Sequence, residues 1–296
     1  MSGTALALAL LIADPVILGA SPAPPVAPGD AEILQGQADL NDRMTVDVAL
    51  DGTGPYRFLI DTGSQRTVVS TALAGNLGLE KGPEVRVVSM AGSDSVATAK
   101  VDTLGFGSRE LYGLVVPLLE NRHIGADGIL GTDSLQNQRV LLDFTQNTIA
   151  IGSRRELGGS SGYEIVVRAR KRSGRLIMTN ATIDGIRVDV VVDTGASTTV
   201  GNLALQRAMR KSTQGVATLF SVTGHELSAN VGFAQSLNIR NLTITNVLIA
   251  YADAPAFREL GLRARPAIFL GMRELRVFKR IAIDFSSHKI LFDLPG

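Results

Sequence analysis

Two carboxylates stand where a folding chain rarely puts one. Asp61 closes the apolar run Phe58-Leu59-Ile60, Asp193 closes Val190-Val191-Val192, and each is followed by Thr and Gly. A carboxylate at the apolar end of a strand is costly unless it is paired or put to use. Two held close together cannot both ionise cheaply, so one keeps its proton and the other carries the charge. The charged member can take a proton from water while the neutral member donates one to a carbonyl oxygen. Water then attacks the carbonyl with no covalent intermediate. The neighbouring residues suit this task. Gly63 and Gly195 permit a tight turn and leave backbone N–H groups open to the carboxylate. Thr62 and Thr194 stiffen the turn by β-branching and carry hydroxyls able to bond across a two-fold interface. The next position differs, Ser64 against Ala196. This difference predicts that the Ser64 hydroxyl donates to Asp61, favours its ionised form and leaves Asp193 as the proton holder.

Each Asp needs an element to deliver it, and the sequence supplies a hairpin both times. In the first, alternation through Val46, Val48 and Leu50 reads as a strand, Asp51-Gly52 and Gly54-Pro55 as a turn, and Phe58-Leu59-Ile60 as the return strand. In the second, Asp184-Gly185 is the turn and residues 188–192 return. The likeness continues downstream through Leu130-Gly131 and Leu270-Gly271, then Asp143-Phe144 and Asp284-Phe285. Short helices are expected after each Leu-Gly, over 132–136 and 272–275. The features recur in the same order and at a nearly constant offset, which marks a tandem duplication. The copies run over 36–152 and 163–296, joined by the Gly/Ser-rich linker 153–162, with a separate segment 1–35 before them. Short β-branched strands and Gly-rich turns give an all-β expectation.

Bulk properties exclude several classes. The 296 residues are 45% hydrophobic and 19% charged, enough to bury a sizeable core. Lys and Arg number 29 against 28 Asp and Glu, and no basic patch is interleaved with aromatics, so no nucleic-acid partner is expected. There is no cysteine, and His123, His225 and His288 lack metal-ligand spacing, so no metal or cofactor is expected. Residues 1–35 begin apolar and turn rich in Ala, Pro and Ser, as in an export signal followed by a flexible stretch, although no basic residue precedes the run. A periplasmic or secreted location follows as an expectation. The run is too short to span a bilayer, so no stable membrane insertion is expected. Arg168, Arg170, Lys171, Arg172 and Arg175 read as an exposed basic hairpin. Asp143 and Asp284 read as solvent-side or turn residues.

Asp-Thr-Gly-Ser at 61–64 and Asp-Thr-Gly-Ala at 193–196, each followed by an apolar-apolar-Gly, resemble the active-site motifs of aspartic proteases. The resemblance covers nearly all of 36–296 and implies two tandem retropepsin-like β-barrel lobes forming a pseudo-two-fold, bilobal protein. It implies an aspartic endopeptidase with Asp61 and Asp193 as catalytic pair, and a polypeptide substrate lying extended beneath two flap hairpins. The flaps would fall in 87–101, with Ala91 and Gly92 at the tip, and in 218–233, with Thr223, Gly224 and His225. One chain would then be a monomer holding an intramolecular pseudo-dimer. A catalytically silent peptide-binding module of the same fold is the alternative.

Overall fold

The computed structural model describes residues 16–18, 33–35, 37–38, 43–160, 162–210 and 214–295. The fold follows from strand alternation and from turns that the sequence places twice. Val46, Val48 and Leu50 point into the core while Asp47 is exposed, the pattern of a strand covered on one face. Asp51 and Gly52, like Asp184 and Gly185, have φ between 46° and 82°. Two consecutive left-handed residues make the tight hairpin turns that match strand twist. One detail differs from expectation. Gly54 and Pro55 lie inside the strand Thr53–Ile60, so the first turn is Asp51-Gly52 alone.

The first lobe is an eight-stranded sheet. Its centre sets the return strand Thr53–Ile60 parallel to Gly128–Leu130, which in turn lies antiparallel to Val68–Ser70. The second lobe repeats this with Ile186–Val192, Ala267–Leu270 and Thr199–Asn202. Both lobes are sheet-rich, and the all-β, two-lobe expectation holds. Helices follow each Leu-Gly over Thr132–Leu135 and Met272–Leu275, the first one residue shorter than expected. Four further helices among the described residues escaped the sequence reading: the short Asn121–Ile124 and Pro255–Glu259, and the longer Thr71–Leu77 and Leu203–Met209. Ser70 and Asn202 cap the two longer ones by accepting the N–H of Leu73 and Leu205.

A third sheet joins the lobes. Arg139–Asp143 lies antiparallel to Arg280–Asp284 at its centre, with Thr148–Gly152 and Lys289–Asp293 outside them and Ile33–Gln35 and Ile165–Arg168 at the edges. Asp284 does serve a turn, accepting from the Ser286 hydroxyl and the Ser287 N–H, but the structure corrects the solvent-side alternative. Its side chain is fully buried and meets the buried guanidinium of Arg139 at 2.7 Å. Burial alone would raise its pKa. Hydrogen bonds from Ser286, Arg139 and Ser287 outweigh that and hold it down at about 2. Asp143 does serve a turn, accepting the N–H groups of Thr145 and Gln146. The linker is pinned. Leu157 is buried, and the carbonyls of Gly158 and Gly159 accept hydrogen bonds from Arg139. The segment 1–35 falls mostly outside the described residues. Within it, Val16–Leu18 adds to the edge of the second-lobe sheet at Leu242–Ala252.

Candidate active site

Each return strand ends at its Asp, and the following turn crosses toward the other lobe. The two turns grip one another. The Thr62 hydroxyl donates to the Val192 carbonyl at 2.8 Å and the Thr194 hydroxyl to the Ile60 carbonyl at 2.6 Å. The backbone N–H of Thr62 reaches the Thr194 hydroxyl at 3.1 Å, and that of Thr194 reaches the Thr62 hydroxyl at 3.3 Å. All four groups are buried, so their pairing in this reciprocal way fixes the relation of the loops. Gly63 and Gly195 complete the closure. A Cβ on Gly63 would run into the Asp193 carboxylate, and one on Gly195 into that of Asp61. Beneath them Gly131 and Gly271 allow a similar close approach, lying against the backbones of Arg66 and Thr198. Thr67 and Thr199 tie each loop to its Leu-Gly strand by accepting the N–H of Gly131 and Gly271.

The two carboxyl groups stand close together, each against the glycine of the opposite loop, and each sits in the other's field. Burial raises the pKa of both, and the charge of Asp61 raises Asp193 further, pushing it up to about 8. Their loops treat them unequally. Asp61 accepts the N–H groups of Gly63 and Ser64, both at 2.8 Å. For Asp193 the loop supplies the N–H of Gly195, at 3.1 Å. Asp61, which accepts more backbone N–H groups, is therefore the member favoured as ionised, and Asp193 the one that holds the proton. The expected agent of this asymmetry is corrected. The Ser64 hydroxyl turns away to the Arg66 carbonyl at 2.9 Å, and the Ser64 backbone N–H reaches the carboxylate instead. Ala196 faces the same cavity and brings no hydroxyl.

Arg175 is the residue that sequence reasoning misplaced. It stands in the basic run read as an exposed hairpin, and Arg170 and Arg172 are indeed exposed. Arg175 instead turns inward and donates from Nε to the Gly63 carbonyl. Its charge lowers the pKa of both Asp61 and Asp193, while its own pKa is lowered by burial. The signal was present in the duplication, since Arg43 stands as far ahead of Asp61 as Arg175 stands ahead of Asp193. Arg43 also acts on Asp61 and donates to the Ile124 carbonyl at 2.8 Å.

A cavity of about 800 Å³ opens above the pair. Two hairpins roof it. The first is Lys81–Val88 with Ser93–Phe106, and the second Gly215–Phe220 with Glu226–Ile239. Their tips cross. Met90 of the first packs into the apolar cluster of Phe257 and Phe269 in the second lobe, and Val222 of the second into that of Ile124 and Ile129 in the first. The Ser89 and Thr223 hydroxyls meet at 3.0 Å, and His225 Nε2 meets the Asp94 carboxylate at 2.9 Å. Gly92 lies against the His225 ring and Gly224 against that of His123. Ala91, Gly92, Thr223, Gly224 and His225 thus sit at the hairpin tips, where Gly92, Thr223, Gly224 and His225 make contacts between elements. The cavity wall is formed by their neighbours Ser89, Met90, Ser221 and Val222. Among the described residues no group of three His, Cys, Asp or Glu could hold a metal ion. Nor is any helix among them long and apolar enough to cross a membrane.

A protein-family model described as "Aspartyl protease" matches residues 46–134 and 179–273, one match per lobe. Among curated proteins, "DNA damage-inducible protein 1" of Cryptococcus neoformans var. neoformans serotype D is 26% identical over 144 residues, in each of two strains. The alignment covers 46% of this chain and 32% of the relative, so the chain matches about a third of that protein's length.

Proposed function

The chain belongs to the aspartyl protease family, and we propose that it is an endopeptidase in which Asp61 and Asp193 hydrolyse peptide bonds with water. The observation that carries this reading is the pair itself. Two carboxyl groups, one from each lobe, stand close together beneath a roofed cavity and carry unequal hydrogen bonding. Asp61, ionised, takes a proton from the attacking water. Asp193, protonated, donates to the carbonyl oxygen as charge develops there. The tetrahedral intermediate then collapses as the nitrogen leaves with a proton from the pair. The substrate lies extended between pair and hairpins, its backbone bonded like an added strand. Closed hairpins exclude bulk water, which strengthens every charge interaction in the cavity. In this proposal one chain supplies both halves, a reading supported by the reciprocal bonds between the two loops.

The test is digestion of an unfolded protein such as casein, with and without pepstatin, and with cut sites mapped by mass spectrometry. Discrete cuts abolished by pepstatin are expected. Binding of casein peptides by folded protein with no cut at any pH from about 3 to 8, the span set by the pair's perturbed carboxyls, would replace the endopeptidase with a peptide-binding module. Export to a periplasmic or extracellular space is included in the proposal and is checked by fractionating cells that express the full chain.

A further inference from the structure

Resting on the protease reading, we infer that the cleft selects peptides that are acidic on one side only of the scissile bond. The chain as a whole is nearly neutral, with a formal charge of +1. Yet the cavity wall carries Arg43, Arg66, Arg86, Arg122 and Arg175, against Glu259 as the carboxylate beyond the catalytic pair. Arg43 and Arg175 are two-fold mates and add charge evenly. Arg66 and Arg86 have no cationic mates. The sequence offset that carries Asp61 onto Asp193 carries them onto Thr198 and Thr218, and both threonines also line the cavity. The equivalence is spatial as well, because Gly131 lies on the backbone of Arg66 and Gly271 on that of Thr198.

Arg66 and Arg86 belong to the same end of the cleft. Arg66 donates to the Val115 carbonyl at 3.1 Å. The Val115 side chain lies 3.3 Å from the Cβ position of Gly82, and Gly82 and Arg86 share the hairpin strand Lys81–Val88. Both arginines are exposed. Arg86 bonds the Ser93 hydroxyl at 3.3 Å and makes no ion pair among the described residues. Arg66 has Asp133 at 3.8 Å, a loose exposed pair that an incoming carboxylate can rival. An extended peptide sets alternate side chains on the same wall. Acidic residues on that side of the scissile bond would face these guanidinium groups, which favour carboxylates in bidentate geometry. The opposite end offers threonine hydroxyls at the mated positions. A homodimer repeats its charges at both ends; a fused duplication is free of that constraint.

Three peptides with one cut site test this: a neutral parent, one with two Asp residues N-terminal to the cut, and one with the same pair C-terminal. One acidic peptide is expected to exceed the parent in kcat/KM by about tenfold while the other does not, as charge-assisted hydrogen bonds allow. The gain should shrink between about 0.05 and about 0.5 M salt. In Arg66→Thr/Arg86→Thr, which copies the second-lobe residues into the first, the ratio should fall to about one, the level expected once those charge-assisted bonds are gone. Arg86→Thr alone serves if the double variant does not fold. Equal behaviour of the two acidic peptides, or a wild-type ratio in the variant, would overturn the inference. The same peptides, fluorescently labelled, are titrated against Asp61→Asn/Asp193→Asn. A one-sided acidic preference in binding, with no cleavage by wild type, would sink the protease reading and keep the inference about the cleft. No preference in either assay would overturn the inference itself.

Discussion

Asp61 and Asp193 differ in what their own loops donate, and that difference sets which one holds the proton. The working state has Asp61 ionised and Asp193 protonated. Asp193 is raised to about 8, so activity should persist through neutral pH and fall as pH rises through about 8. Asp61 is also raised by burial, so the acid limb, where it gains a proton, should lie above the ordinary carboxylate range. Arg175 lowers both groups. Replacing it with Gln removes that cation, and both limbs of the pH–rate profile are expected to move to higher pH. A lower rate with unmoved limbs would mean Arg175 only shapes the Gly63 loop. Gly63→Ala drives a methyl group into the Asp193 carboxylate. A displacement of this size should cost about a hundredfold in kcat, with the melting temperature checked alongside. Much of this was legible in the residues: Asp-Thr-Gly twice, with apolar runs before each. The source of the asymmetry was not, because a serine offers both a hydroxyl and an N–H, and only the turn geometry decides which one reaches the carboxylate.

At the scale of elements, the hairpins carry the argument. Each tip crosses to the opposite lobe, and the two are bonded by Ser89 to Thr223 and His225 to Asp94. Hydrogen bonding from His225 holds Asp94 below its usual carboxylate range. His225→Ala removes this bridge without touching the cavity wall. It should raise KM by about two- to fivefold, the reach of one exposed ion pair, with a smaller change in kcat. An equal fall in kcat and kcat/KM would instead place His225 in the chemical step. The hairpins were anticipated from the family resemblance, at 87–101 and 218–233, and strands do flank Gly92 and Gly224 there. Their crossing was not anticipated, because it depends on segments that belong to different lobes and lie far apart along the chain. Arg175 was lost for a similar reason. It shares its composition with Arg170 and Arg172, and only the closing of the lobes separates the inward cation from the exposed ones. The helices Thr71–Leu77 and Leu203–Met209 make about two turns each, too short for a helical period of about 3.6 to stand out beside strands.

For the whole molecule, the duplication turns two marginal half-sites into one chain whose halves can diverge. The lobes are held by the gripped loops and by the shared sheet, where Arg139 and Asp284 pair without access to water. Removing one partner leaves a buried charge, so Asp284→Asn is expected to cost about 3–5 kcal/mol in denaturant unfolding. The acid dependence follows from the lowered pKa of Asp284, about 2 in the fold. Its stabilisation is present above the unfolded-state value and is lost as pH falls from about 4 toward 2, on the order of 2 kcal/mol. Urea unfolding at the two ends of that window reads the loss directly, and Asp284→Asn should flatten it. Asp284 was read as a solvent-side or turn residue; the turn role holds, but its burial was missed because nothing within one lobe shows that the strand of the other will cover it. The central claim is that one carboxylate from each lobe performs the hydrolysis. Its most direct test is the initial rate of casein cleavage by wild type, Asp61→Asn and Asp193→Asn at equal concentration, each confirmed as folded by circular dichroism. A loss of at least about a thousandfold in both variants is predicted, since each removes one partner of an acid–base pair. Full activity in either folded variant would contradict the account.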